Sequence, residues 1–442
     1  MSGDGWPWST SARTTDTIEK EIPVNYAGRG GDNNAEGTNR NINVGIGSFA
    51  ARTAADPLGA LAGNTQGGAP NLLPGTGNVA APDNSDGGIG EGYIWNAANA
   101  AGLSVRNYGM FLDLARYNLP AAFGALNIPE DPTPFADNLQ VGYSTSPFLA
   151  PYTDIYFRGF DNSFPDYYRF QEWNREFQQF DANGGLPALS LVRLMHDHTG
   201  NYDTAINGVN TPELQVADND YAIGLLVQAV AHSKLYSKNT LIFMIEDDAQ
   251  DGGDHVDAHR SIAFIAGPYV KQGHVDSRFH NTVSMVRTIE DILGTPHLNL
   301  NDANARPMAE AFDLDQKSWT YTATPSPLLA GTTLPIPAAA FKAHGVTIGN
   351  VKPLHDSKWW AEQTRGMDFS IEDHLDSAKY NRILWTGTMG DKPYPTVRTG
   401  LDLRANRAEL LKAFMERQAT KSATPEQTVK EAVDGAPAGA SR

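Results

Sequence analysis

The spacing of apolar residues changes several times along the chain, and each change predicts an element. "YIWNAANAAG" (93–102) has helical spacing and a glycine at its end, so a short helix should stop at Gly102. "LSVRNYG" (103–109) then reads as a strand. In "DYYRFQEWNREFQQF" (166–180) the aromatics at 167, 170, 173, 177 and 180 repeat at helical intervals, which assigns them to a core-facing stripe. "LPALSLVRL" (186–194) is an apolar run of strand length. "VADNDYAIGLLVQAVAHSKLY" follows it, an apolar helix with Asp and Asn in front as cap candidates. "NTLIFMI" (239–245) and "SIAFIAG" (261–267) read as two further buried strands. "TVSMVRTIEDILG" (282–294) reads as a helix closed by Gly294.

Strands alternating with helices at these intervals predict an α/β fold, a mainly parallel sheet flanked by helices on both faces. Residues 28–92 are rich in Gly, Asn, Ala and Pro with no sustained period, and read as a long irregular insertion. Past residue 312 the chain turns Pro- and Thr-rich. This divides it into a main domain (1–312), a C-terminal arm with a late helix at 401–418 (313–418), and a disordered tail (419–442).

Composition narrows the function classes. The net charge of −17 disfavours non-specific nucleic-acid binding, which relies on basic contacts to phosphates. The absence of cysteine excludes disulfides, thiolate catalysis and Cys-type zinc sites. No apolar run is long enough to suggest a membrane span. The opening "MSGDGWPWSTSARTTD" lacks the basic and apolar regions of a signal peptide and reads like the interior of a domain.

The chemistry concentrates after two of the predicted strands. "MHDHTGN" (195–201) follows one, and "EDDAQDGGDHVDAH" (246–259), with six acids and two histidines, follows the other. In parallel sheets ligands bind beyond the carboxyl ends of strands. Asp197, His198, Asp247 and Asp248 are therefore expected to converge, with His259 reaching back where the chain re-enters the sheet. So many acids in one cleft repel one another and hold some protons, and a divalent cation (zinc, manganese, iron or calcium) removes the conflict. An EF-hand loop does not fit, because Asp247, Asp248, Asp251 and Asp254 miss its alternating positions and no Glu closes the loop. His232, His280 and His297 lack acidic neighbours of this kind and read as surface or packing residues. His274 and His344 carry no signal.

Several of these segments, in this order, resemble the phosphoesterase branch of the alkaline phosphatase superfamily, which includes acid phosphatase-like and phospholipase C-like bacterial proteins. They are "GYIWNAANAAGLSVRNYG", "FRGFDNSFPD", "MHDHTG", "NTLIFMIEDDAQDGGDHVDAHRS" and "FHNTVSMVRTIEDILGTPHLNLNDANARPMAEAF", with an echo at "YNRILWTGTMGDKPYP". The resemblance implies an alkaline phosphatase-like sandwich, export to the periplasm or beyond the cell, and a phosphate-ester substrate. It also implies hydrolysis of mono- or diesters through a Ser or Thr phospho-enzyme. It places metal-ligand roles on Asp197, His198, Asp247, Asp248 and His259, with His255 as a further ligand or phosphate contact. The family's first strand, which ends in an acidic-Asn metal motif, is expected to be missing here. The nucleophile candidates are then Ser9 and Thr10; the alternative for "WPWST" is a helix start capped by one of them. Two other functions stay open: a non-catalytic family member acting as a metal-binding or surface-interaction protein, and a calcium-stabilised surface protein.

Overall fold

The computed structural model describes residues 2–13, 42–43, 92–117, 128–144, 146, 148–247, 261–342, 351–369, 375–394, 412 and 415. The chain divides into a unit of Met1–Gly390 and a second of Asp391–Arg442. Few residues of the second are described. Most of the expected 401–418 helix and the whole 419–442 tail lie outside the described residues.

The first unit is broadly α/β. Its strands are β1 (Ile42–Asn43), β2 (Val105–Tyr108), β3 (Leu112–Arg116), β4 (Gly142–Ser144), β5 (Leu189–Val192), β6 (Ile242–Ile245) and β7 (Ala263–Ala266). Its helices are α1 (Ser2–Ser11), α2 (Ile94–Ala100), α3 (Asp166–Asn183), α4 (Pro212–His232), α5 (Thr282–Leu293), α6 (Leu300–Asn304), α7 (Ala338–Lys342), α8 (Ser357–Gln363) and α9 (Ser377–Met389).

β2 and β5 pair in parallel, with Val105 opposite Leu189 and Tyr108 opposite Val192. Alternation sorts their side chains between two cores. Val105, Leu189 and Leu191 join Trp95 of α2 and Val283 and Val286 of α5. Tyr108 and Val192 join Phe170, Trp173 and Phe177 of α3 and Ala222 and Val230 of α4. This pair therefore has helices on both faces, as the pattern predicts. The aromatic stripe of α3 is core: Trp173 and Phe177 stack at 4.8 Å and 14°.

The single, mainly parallel sheet is corrected. Among the described residues the strands form three small sheets, β1-β3-β4, β2-β5 and β6-β7. β6 and β7 pair antiparallel, Ile242 opposite Ala266. Nor are these two strands deeply buried, since Ile245 of β6 and Phe264 of β7 are 36% and 59% exposed. Their uninterrupted apolar runs match a doubly covered strand, but neither face is sealed here. Of the expected irregular insertion at 28–92 only Ile42–Asn43 and Gly92 are described, and Ile42–Asn43 run parallel to Ala115–Arg116.

Helix ends follow local chemistry. Gly294 closes α5 in the left-handed conformation at φ 71°, and Asn281 caps its start by accepting from Ser284 N. α4 begins earlier than expected. Thr211 caps it by accepting from Leu214 N, and Pro212 occupies the first turn. Asp218 is thus no cap; it lies on the buried face of the helix. Similarly, "WPWST" is no helix start: Ser9 and Thr10 lie in the last turn of α1. Asn299 Nδ2 donates to Ser11 O at 2.8 Å and Asn301 Nδ2 to Ala12 O at 3.0 Å, which docks α1 beside α6.

Trp173→Ala should lower unfolding free energy by about 3–5 kcal/mol through the cavity it opens, read as a shift in the urea midpoint. A loss below about 1 kcal/mol would remove this stripe from the core.

Candidate functional site

The loop after β5 is fixed by a buried charge cluster before it presents any functional group. Asp166, the first residue of α3, accepts from Met195 N (3.0 Å), His196 N (2.8 Å), Asn219 Nδ2 (3.0 Å) and Arg169 Nη1 (2.9 Å). Asp218 of α4 accepts from Asp166 N at 2.6 Å and Tyr167 N at 3.2 Å. Its Oδ2 lies 2.7 Å from His196 Nδ1, while His196 Nε2 lies 3.1 Å from Asn162 O. A carbonyl can only accept, so Nε2 carries a proton, and the carboxylate facing Nδ1 draws a second one. Burial opposes the imidazolium charge, but the hydrogen bond and charge of Asp218, with Asp166 behind, raise the His196 pKa above its ordinary value. Burial likewise opposes Asp166, and the Arg169 and His196 charges outweigh it to lower that pKa.

Asp166, His196 and Asp218 offer ligand atoms within 4.8 Å of one another and have the composition of a metal site. Their hydrogen bonds argue for a different role. Two carboxylates and two cations balance, and a metal ion would have to displace the His196 proton beside Arg169. We read the cluster as a latch joining α3, α4 and the β5 loop.

Beyond the latch the loop is clamped again. Gln215 accepts from Gly200 N at 2.8 Å and donates to Gly200 O at 2.7 Å. A Cβ on Gly200 would lie 2.4 Å from the Phe369 ring, so only glycine fits. Thr199 Oγ1 lies 2.7 Å from Tyr380 OH, which ties the loop to α9.

Asp197 and His198 stand between the two anchors, both half-buried. The His198 ring meets Phe160 edge-on at 5.2 Å. Burial raises the Asp197 pKa, His198 and Arg193 pull it down, and Asp166 adds to the rise. At the end of β6, Glu246 and Asp247 are also half-buried. The Glu246 carboxyl is pushed up to about 7, first by burial and then by the charges of Asp197 and Asp247. The charge of Asp197 thus reaches the Glu246 carboxyl, although β6 pairs only with β7 among the described strands. The expected proton retention falls on Glu246.

Asp197, His198 and Asp247 do not by themselves form a set of ligand atoms within 4.8 Å among the described residues. Asp248, His255 and His259 lie outside the described residues. Ser9 is half-buried and Thr10 buried on α1. Two histidines read as lacking acidic neighbours have them: His280 Nε2 is 3.1 Å from Asp276, and His297 Nδ1 is 3.1 Å from Glu290.

Pattern reading passed over Asp166, His196 and Asp218. One signal was available for Asp218, a charged residue on the apolar face of a helix, which demands a buried partner. Nothing local selects His196 over its neighbour His198.

Asp218→Ala should cost about 3–5 kcal/mol by stranding a buried imidazolium, measured by urea unfolding at neutral pH. A near-neutral result would mean that His196 is uncharged. The pH dependence is also fixed in sign. A Glu with an ordinary value of 4.5, raised to about 7 in the folded state, binds more protons folded than unfolded between those values. In chelator-treated protein, stability should fall across that window as pH rises. Glu246→Gln should flatten the fall, and an unchanged slope would place Glu246 outside the cluster.

In comparisons with known proteins, no family model matches this chain and no curated protein matches it.

Proposed function

We propose that the chain is a metal-dependent phosphoric ester hydrolase of the alkaline phosphatase-like type, acting on phosphate mono- or diesters. The observation that supports this most is that the Glu246 carboxyl feels the charges of both Asp197 and Asp247. Burial and mutual repulsion lift the Glu246 carboxyl to about 7. Carboxylate oxygens and an imidazole nitrogen suit a divalent cation, whose charge would relieve that repulsion. Asp197, His198 and Asp247 would hold it, with Asp248, His255 and His259 as further ligands. When bound, the cation supplies Lewis-acid stabilisation of the transferring phosphoryl group and a lower pKa for the attacking hydroxyl.

The protein's own part is to hold the ligands still. The Asp166–His196–Asp218 latch and the Gln215 clamp fix both ends of the 195–200 loop, which limits the motion of Asp197 and His198. Phe160 covers the His198 ring and keeps water from that side. Ser9 and Thr10 are the nucleophile candidates.

The test pairs elemental mass spectrometry of the purified chain with hydrolysis of p-nitrophenyl phosphate and bis(p-nitrophenyl) phosphate. The expected result is metal-dependent turnover that Asp197→Ala and Asp247→Ala each reduce on the order of a hundredfold or more, with the fold intact by circular dichroism. Ser9→Ala and Thr10→Ala identify the nucleophile by which of them loses turnover. Absence of turnover on both esters after metal supplementation would favour a non-catalytic metal-binding protein.

A further inference from the structure

We propose that Glu290, His297 and Asp302 form a second divalent-cation site, of zinc-type donor chemistry, at the C-terminal end of α5. Their ligand atoms lie within 4.8 Å of one another. Glu290 and Asp302 are both fully buried, while the His297 side chain is 34% exposed and gives a cation access from solvent.

Each donor is already aimed. Asp302 accepts from Leu298 N at 2.6 Å and from Asn299 N at 2.8 Å, which fixes its carboxylate. His297 Nδ1 is 3.1 Å from Glu290 Oε2. Ligands bound at about 2.0–2.1 Å around a tetrahedral zinc are about 3.3 Å apart, so this spacing suits two ligands of one ion.

The independent observation is the other oxygen of Glu290. Oε1 is buried and has no hydrogen-bond partner among the described residues. Two buried carboxyl groups facing each other need a positive species between them, a proton or a metal ion. The first occupant is consistent with the Glu290 carboxyl being pushed up to about 8, by burial and then by the charge and hydrogen bond of Asp302. A cation has two further advantages here. His297 adds a nitrogen donor, and the last carbonyls of α5 put the negative end of the helix dipole at the site. The latch cluster has no such opening: His196 uses both ring nitrogens and Arg169 supplies the countercharge. Among the described residues no arginine is hydrogen-bonded to either carboxylate of the Glu290 cluster; Arg287, whose charge acts on Glu290, pairs with Asp291.

The site stands independently of the phosphoesterase reading, and the experiment keeps them apart. Zinc content and zinc-induced thermal shift are measured on the full chain as wild type, Asp247→Ala, Glu290→Gln and Asp247→Ala/Glu290→Gln. The Gln amide can still donate to Asp302, so the Glu290→Gln protein should fold with an unchanged midpoint in chelator. The expected result is that Glu290→Gln loses about one zinc equivalent and most of a thermal shift of a few degrees, in both backgrounds. His297→Ala should weaken zinc binding about tenfold or more. Equal zinc content and equal shifts with and without Glu290→Gln would overturn the proposal and leave an acid pair sharing a proton. Loss of an equivalent in Asp247→Ala alone, with none in Glu290→Gln, would support the other site and reject this one.

Discussion

The carboxylate of Asp166 is the point on which the site depends. It begins α3, receives two backbone N–H groups from the β5 loop and one side-chain amide from α4, and faces the Arg169 guanidinium. Arg169 in turn donates to the carbonyls of Arg158, Gly159, Asp161 and Phe164. One buried pair thus collects backbone groups that no regular element could satisfy, and the penalty for burying charge is offset by complete hydrogen bonding. His196 and Asp218 repeat the arrangement one layer on. Irregular chain at 158–166 and 193–200 can be buried only because these four side chains replace water.

That rigidity has a chemical consequence. The same loop carries Asp197 and His198 immediately after the latch, so residues serving stability and residues offered for binding alternate within four positions. Glu246, which feels the charges of Asp197 and Asp247, follows β6, a strand that pairs only with β7 among the described residues. One side of the candidate site is therefore held by a dense polar network and the other by a two-stranded hairpin. A ligand that pulls the acids together would order the weaker side, which links binding to local stability.

The two acid–histidine clusters illustrate how composition alone misleads. Both bring two carboxyl groups and one imidazole within 4.8 Å. In one, every polar atom is matched by a protein donor or acceptor and two cations neutralise two anions. In the other, one buried oxygen lacks a donor and the imidazole reaches solvent. The first satisfies itself, and the second keeps one buried carboxylate oxygen without a partner among the described residues.

The sequence by itself determined the local elements. The aromatic period placed α3, the apolar runs placed β2, β5, β6 and β7, and Gly102 and Gly294 marked helix ends, because these depend on side-chain spacing and backbone preference within a few residues. It also singled out the polar segments after β5 and β6 that carry Asp197, His198, Glu246 and Asp247. Only the tertiary structure decided the rest. Strand pairing is a contact between distant segments, so β6 could turn back on β7 without any change in its own pattern. Whether a histidine is a ligand, a latch or a surface group depends on which carboxylates reach it across space. His196 meets Asp218 from 22 residues away, and His297 meets Glu290 across the end of a helix. No local period encodes either meeting, since both are fixed by how helices pack and where the buried charges must find partners.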